Sequence, residues 1–137
     1  MKTLNLAVLI IAATLSLSAL AREAVPIINH DNLLVATNSG KPTSAAQVKQ
    51  AIQTAAGTKK WSVSAQADGK LLATLNVRSK HTVMVEITYT ANKYSLRYQD
   101  SSNMKYGDRD GQAVIHPFYN KWVQEFKEAI RIELLKL

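Results

Sequence analysis

WSVSAQADGKLLATLNVRSKHTVMVEITYTANKYSLRY, residues 61–98, is the stretch that decides the fold. Apolar and polar side chains alternate along four segments of it, Trp61–Gln66, Leu71–Val77, His81–Tyr89 and Tyr94–Tyr98. A period of two is typical of half-buried β-strands. Because only short links separate the segments, the sequence predicts a four-stranded antiparallel meander.

The links between these segments carry residues that favour turns. Asp68-Gly69 is a hairpin dipeptide, Asn92 tolerates a positive φ, and residues 78–80 form a short polar connection. One face of the predicted sheet is polar, and we expect it to contact solvent. The alternation places on the other, apolar face the residues Trp61, Val63, Leu71, Ala73, Leu75, Val83, Val85, Ile87, Tyr94, Leu96 and Tyr98.

Two segments with helical spacing flank the predicted sheet. The first begins at an N-cap residue, Thr43 or Ser44, and ends at Gly57. The second begins at Pro117, which the first turn of a helix tolerates. We expect both helices to cover the apolar sheet face, so the predicted fold class is α+β, a two-layer sandwich with an N-terminal and a C-terminal helix on one face. The apolar stripe of the second helix consists of Tyr119, Trp122, Val123, Phe126, Ala129, Ile130 and Leu134.

The remaining segments carry weaker patterns. Residues 22–42 are predicted to be an irregular lead-in to a single domain at 43–137. Its two short apolar runs, Val25–Ile28 and Leu33–Ala36, either lie along a sheet edge or stay loose. The Gly-, Asp- and Ser-rich stretch from Asp100 to Val114 is predicted to be a loop.

The first 21 residues are predicted to be a cleaved secretory signal peptide. Lys2 precedes an almost uninterrupted apolar run, Leu4–Leu20, and Ala21 completes a small-x-small cleavage site. We therefore expect a periplasmic or secreted protein without a transmembrane span in the mature chain. Because the sequence contains no cysteine, we expect neither disulfides nor lipid attachment at a cysteine.

The formal net charge of +7 favours acidic partners, but the basic residues are scattered. Glu125, Glu128 and Glu133 interleave with them on the second helix. A scattered pattern is typical of a solvated surface and lacks the basic clusters of nucleic-acid binding proteins. The expected partners are an anionic cell-wall component, a small ligand or another envelope protein, with no nucleic acid.

The candidate site consists of polar residues near predicted strand and helix ends. If they converge, they form a pocket suited to a small anion, a sugar or a peptide terminus. Local turns and a hydrogen bond at the helix entry are the competing, purely structural interpretation. The candidate binding residues are Arg78, His81, Asp100, Ser102, Asn103, Tyr106 and His116.

No strong catalytic or metal-binding motif accompanies these residues. The stretch from Asp108 to Gly111 lacks the glutamate that completes an EF-hand, and the three histidines lack paired zinc-ligand spacing. We expect no metal and no cofactor. The sequence favours a non-enzymatic binding or interaction module, with a minimal hydrolase or lyase that uses His116 with Asp100 or Ser102 as the alternative.

Three stretches resemble a family of small uncharacterised bacterial envelope proteins, many of them described as lipoproteins. They are ATLNVRSKHTVMVEI at 73–87, YSLRYQDSSNMKY at 94–106 and IHPFYNKWV at 115–123. The resemblance covers most of the predicted domain and implies an envelope location, but the family brings no settled activity. Lipoprotein members carry a cysteine after the signal peptide, and this chain has none.

Overall fold

The computed structural model describes residues 22–137, so the predicted signal peptide lies outside the described residues. The fold is α+β, with two helices and two antiparallel sheets. In chain order the elements are β1 Val25–Pro26, β2 His30–Leu34, α1 Ala45–Thr58, β3 Ser62–Ala65, β4 Leu71–Val77, β5 His81–Tyr89, β6 Lys93–Ser102, β7 Gly107–Arg109, β8 Gln112–Ile115 and α2 Phe118–Leu135.

The main sheet has five strands in the order β2-β6-β5-β4-β3, all antiparallel. Strands β3 to β6 form the predicted meander, but the predicted total of four strands was wrong because the lead-in adds β2. This strand pairs with β6 through Leu33 opposite Tyr94, and its register shifts between His30 and Leu33. The shift, together with a positive φ at Asn32, breaks the period of two that would have marked β2 as a strand.

The apolar face of the meander forms the core, as the alternation predicts. Nine of the eleven predicted residues are buried, and the other two, Val63 and Tyr98, are half-buried against the same cluster. Helix α1 begins with a capping box in which Ser44 and Gln47 each accept a backbone N–H of the other, which confirms Ser44 as the N-cap. Six of the seven predicted stripe residues of α2 are buried, and Trp122 is half-buried.

The prediction of a loop from Asp100 to Val114 was wrong. Strand β6 continues to Ser102, and β7 and β8 form a hairpin. Asp110 and Gly111 connect them with φ values of 54° and 81°, the positive values that a two-residue hairpin turn needs. Strand β8 also pairs with β1, which completes a second sheet in the order β1-β8-β7.

A bulge in β6 changes which of its residues face the core. Val85 pairs with Tyr98, but the next residue of β5, Met84, pairs with Asp100, so Gln99 is the extra residue. After it the odd-numbered residues face the core, and the hydroxyl groups of Tyr98 and Ser101 meet at 2.8 Å. The bulge therefore sends Asp100 to the opposite, solvent-facing side of the sheet.

Candidate functional site

A cleft of about 280 Å³ lies where the β4–β5 link meets the chain that enters α2. Its walls combine four side chains that carry or can acquire a positive charge with four apolar ones. We call it the basic cleft, and its lining residues are Val77, Arg78, His81, Met104, His116, Phe118, Lys121 and Trp122.

The hairpin link between β4 and β5 supplies one wall of the basic cleft. Arg78 and Ser79 both have positive φ values, 55° and 52°, and the Lys80 N–H donates to the Val77 carbonyl. A left-handed conformation costs a non-glycine residue about 1–2 kcal/mol. The tight link places Arg78 at the mouth of the cleft and starts β5 at His81.

The loop that follows β6 holds the His81 ring in place through a hydrogen bond. Its Nδ1 lies 2.7 Å from the carbonyl oxygen of Asn103. The Asn103 side-chain amide in turn donates to the Lys80 carbonyl at 3.3 Å. Asn103 therefore positions His81 and joins the β4–β5 link to the loop after β6.

His116 occupies the junction between β8 and α2. Its backbone N–H donates to the Met104 carbonyl at 2.8 Å, and its Nδ1 accepts the Phe118 backbone N–H at 3.1 Å. Burial lowers the pKa of His116 below its ordinary value of 6.5, and the nearby cations Lys105 and Arg22 lower it further. These contacts favour a neutral imidazole at neutral pH.

Two positively charged side chains lie over the Phe118 ring of the basic cleft. The Arg22 guanidinium lies 4.8 Å from the centre of the Phe118 ring, and the Lys121 ammonium lies 5.9 Å from it. None of the eight lining residues is acidic. Within residues 22–137, none of the ion pairs involves Arg78 or Lys121. Among the described residues, no carboxylate therefore lines the cleft or forms an ion pair with Arg78 or Lys121.

Backbone strain is concentrated near this cleft. Of the seven non-glycine residues with a positive φ in the described chain, four lie in the two loops beside it: Arg78, Ser79, Asn103 and Lys105. Such residues persist where surrounding contacts hold them, and they cluster at functional sites.

The structure brings together part of the predicted site. Arg78, His81 and His116 line one cleft, and Asn103 lies directly behind His81. Tyr106 does not join them, because its ring stacks on Tyr98 at 4.7 Å and is half exposed.

Asp100 and Ser102 lie on the other face of the sheet. Ser102 pairs with Thr82 and Asp100 with Met84, in register positions that face away from the core. Asp100 lines a separate hollow of about 420 Å³ and accepts the Ser101 backbone N–H at 2.8 Å. We call it the sheet-face hollow, and its lining residues are Gln66, Ala67, Asp68, Lys70, Leu71, Leu72, Met84, Glu86, Gln99 and Asp100.

Sequence reasoning missed the helical wall of the basic cleft. Lys121 and Trp122 follow Phe118 at spacings of three and four, which places both next to Phe118 on one side of a helix. Trp122 was expected in the core, yet it is only half-buried and also lines the cleft. The sequence carried part of this signal, because Phe118 and Lys121 lie outside the apolar stripe and in the first turns of the helix after His116.

Between residues 22 and 137, no three histidine, cysteine or carboxylate side chains are arranged to hold a metal ion. Neither α1 nor α2 is long and apolar enough to cross a membrane.

Comparison of the chain with protein-family models, with curated proteins and with solved structures found no match. The resemblance to the envelope-protein family therefore stays a prediction, and the functional argument depends on the geometry of the site.

Proposed function

We propose that this protein is an exported, non-enzymatic binding module that holds a small organic anion in the basic cleft. The observation that carries the proposal is the convergence of Arg78, His81, His116 and Lys121 on a cleft without an acidic lining residue. Arg78 and Lys121 are exposed, so each attracts an anion with the strength that charges have in water, about 1 kcal/mol at 4 Å. The apolar walls supply area for a non-polar part of the same ligand.

The contacts of His116 favour binding over the hydrolase or lyase alternative. Its Nδ1 accepts a backbone N–H, and no hydrogen bond within residues 22–137 joins it to Asp100 or Ser102. A general base must reach the group that it deprotonates, and these two side chains lie on the opposite sheet face. Substrate turnover that His116→Ala and Ser102→Ala both abolish would support the alternative.

Thermal unfolding in the presence of organic anions tests the binding proposal. A ligand that binds only the folded protein stabilises it by about 2.7 kcal/mol at a hundredfold excess over Kd. We expect monocarboxylates with an apolar side chain to raise Tm, and Arg78→Gln to reduce this increase by about half at a hundredfold ligand excess. Lys70→Gln, in the sheet-face hollow, is the matched control and should keep the increase. Equal loss in both variants, or no increase with any anion, would contradict the proposal.

Export is part of the proposal and needs its own test. Cell fractionation should place the protein outside the cytoplasm, and its intact mass should match a chain that begins at Arg22. A cytoplasmic protein that retains residues 1–21 would contradict this part while leaving the binding proposal open to its separate test.

A further inference from the structure

The hydrogen bonds of the two cleft histidines fix which ring nitrogen carries the proton in each neutral ring. The Asn103 carbonyl can only accept, so Nδ1 of His81 must be the protonated donor. The Phe118 backbone N–H can only donate, so Nδ1 of His116 must be the unprotonated acceptor. The two rings therefore hold opposite tautomers.

Only the Nε2 atoms of the two rings remain for a ligand. In the neutral rings, Nε2 of His81 is an acceptor, and Nε2 of His116 carries a hydrogen and is a donor. The low pKa of His116 agrees with this assignment, since a proton on its Nδ1 would displace the Phe118 N–H. The cleft thus offers one acceptor and one donor beside two permanent cations, Arg78 and Lys121.

A simple anion matches only part of this pattern. A carboxylate accepts hydrogen bonds from Nε2–H of His116 and from Arg78, but it offers no donor to Nε2 of His81. A polar group left without a partner in a binding site lowers affinity. The matching ligand carries an N–H donor next to its carboxylate.

We propose that the basic cleft binds the carboxyl terminus of a peptide, with the last amide N–H donating to Nε2 of His81 and the carboxylate accepting from His116 and Arg78. This inference rests on the binding function proposed above and names its ligand class. The last side chain then contacts the apolar wall formed by Val77, Phe118 and Trp122, which favours an apolar terminal residue.

The dimensions of the site agree with one terminal residue. A volume of about 280 Å³ lies at the lower limit of small-molecule pockets, which begin at about 300 Å³. A neighbouring hollow of about 330 Å³ shares Val77, Arg78 and Trp122 with the cleft. The preceding residues of the peptide would extend into this hollow, which Lys59, Lys60 and the carboxylate of Glu125 also line.

Three matched probes test the donor and acceptor pattern by calorimetry at neutral pH on the purified protein. N-acetyl-L-leucine carries both groups, its primary amide lacks the carboxylate, and its ester analogue replaces the N–H by oxygen. We expect the affinity for N-acetyl-L-leucine to be at least about tenfold higher than for either analogue, since each analogue loses one matched group.

Variants of His81 separate a direct contact from a structural role. In His81→Ala, N-acetyl-L-leucine and its ester analogue should bind with about the same affinity, because the acceptor is gone. The ratio of these two affinities therefore falls to about one, while carboxylate binding through Arg78 persists. His81→Gln, whose side-chain oxygen can accept, should restore part of the ratio. Lys70→Gln should leave it unchanged. A ratio that His81→Ala does not alter would overturn the assigned contact.

The outcomes distinguish this inference from the proposed function. If acetate and the ester analogue bind as tightly as N-acetyl-L-leucine, the anion site stands and the peptide-terminus inference fails. If no carboxylate binds at millimolar concentration, both fail.

Discussion

The basic cleft and the sheet-face hollow are two concavities beside the main sheet that differ in how their charges are paired. In the hollow, the Lys70 ammonium lies 3.3 Å from Glu86 and 3.8 Å from Asp68. In the smaller cleft, Arg78 and Lys121 share their walls with no carboxylate. A ligand entering the hollow must replace existing ion pairs, whereas a ligand entering the cleft supplies the missing charge. Charge pairing, rather than volume, therefore identifies the better site.

Reversing one charge should have the largest effect on this comparison. Lys121→Glu replaces attraction by repulsion, and each is worth about 1 kcal/mol at 4 Å in water, so affinity for N-acetyl-L-leucine should fall by roughly 30-fold. Calorimetry measures the change. Lys70→Glu should alter the affinity less than about twofold, because the hollow lies outside the binding site. Equal losses would mean that net charge alone attracts the ligand.

Neutralising the arginine at the cleft mouth should have a somewhat smaller effect. Arg78→Gln keeps a donor but removes the charge, and a hydrogen bond to a charged group contributes about 1.5 kcal/mol, so affinity should fall about tenfold. The same titration measures it, with far-ultraviolet circular dichroism as the control for folding. An unchanged affinity would remove Arg78 from the site.

The lead-in flanks the cleft and can be loosened separately. Asn120, on α2, accepts the Ile28 backbone N–H at 3.0 Å and donates to the Pro26 carbonyl at 3.0 Å. Asn120→Ala should lower the free energy of unfolding by about 1 kcal/mol, because both hydrogen bonds are exposed. Urea denaturation measures this loss. The control is Asn38→Ala, at an exposed position near the end of the lead-in, whose free energy of unfolding should stay within about 0.5 kcal/mol of that of the parent protein.

Acidification should produce the smallest effect, and only the part that His116 contributes should come from the cleft. Burial lowers the pKa of His116 and of His30 below 6.5, so the unfolded chain binds more protons than the folded protein as pH falls through 6.5. Stability is therefore present above 6.5 and is lost progressively below it. Urea midpoints should decrease on acidification, and His116→Asn, which keeps an acceptor for the Phe118 N–H, should reduce the slope. A midpoint that rises on acidification would contradict both pKa shifts.

The parts of the fold with an uninterrupted period were predictable from sequence. Strand β5 has the predicted bounds of His81 and Tyr89 because its alternation is unbroken and its links are short. Strand β2 was hidden because the shift near Asn32 disturbs its period, and its pairing with β6 is a long-range contact. The β7–β8 hairpin was hidden although Asp110-Gly111 repeats the hairpin dipeptide of Asp68-Gly69, since its strands are only three and four residues long.

Only those parts of the site that a single tight turn brings together were predictable from the sequence. Arg78 and His81 begin and end one tight link, so their proximity follows from the hairpin. The solvent-facing position of Asp100 could not be predicted, because no local pattern indicates a bulge at Gln99, and one inserted residue exchanges the faces of the residues that follow it. Whether Phe118 and Lys121 line the cleft depends on how α2 docks, which periodicity alone does not specify.

Nuclear magnetic resonance titration can locate the ligand, which we expect in the basic cleft and not in the sheet-face hollow. Backbone amide shifts should be recorded while N-acetyl-L-leucine is added to the purified protein at neutral pH. We expect saturable changes in the amide shifts of residues 78–81, 103–105 and 116–122, and unchanged shifts at residues 66–72. Shifts confined to residues 66–72 and 84–86, or no shifts at millimolar ligand, would contradict this expectation.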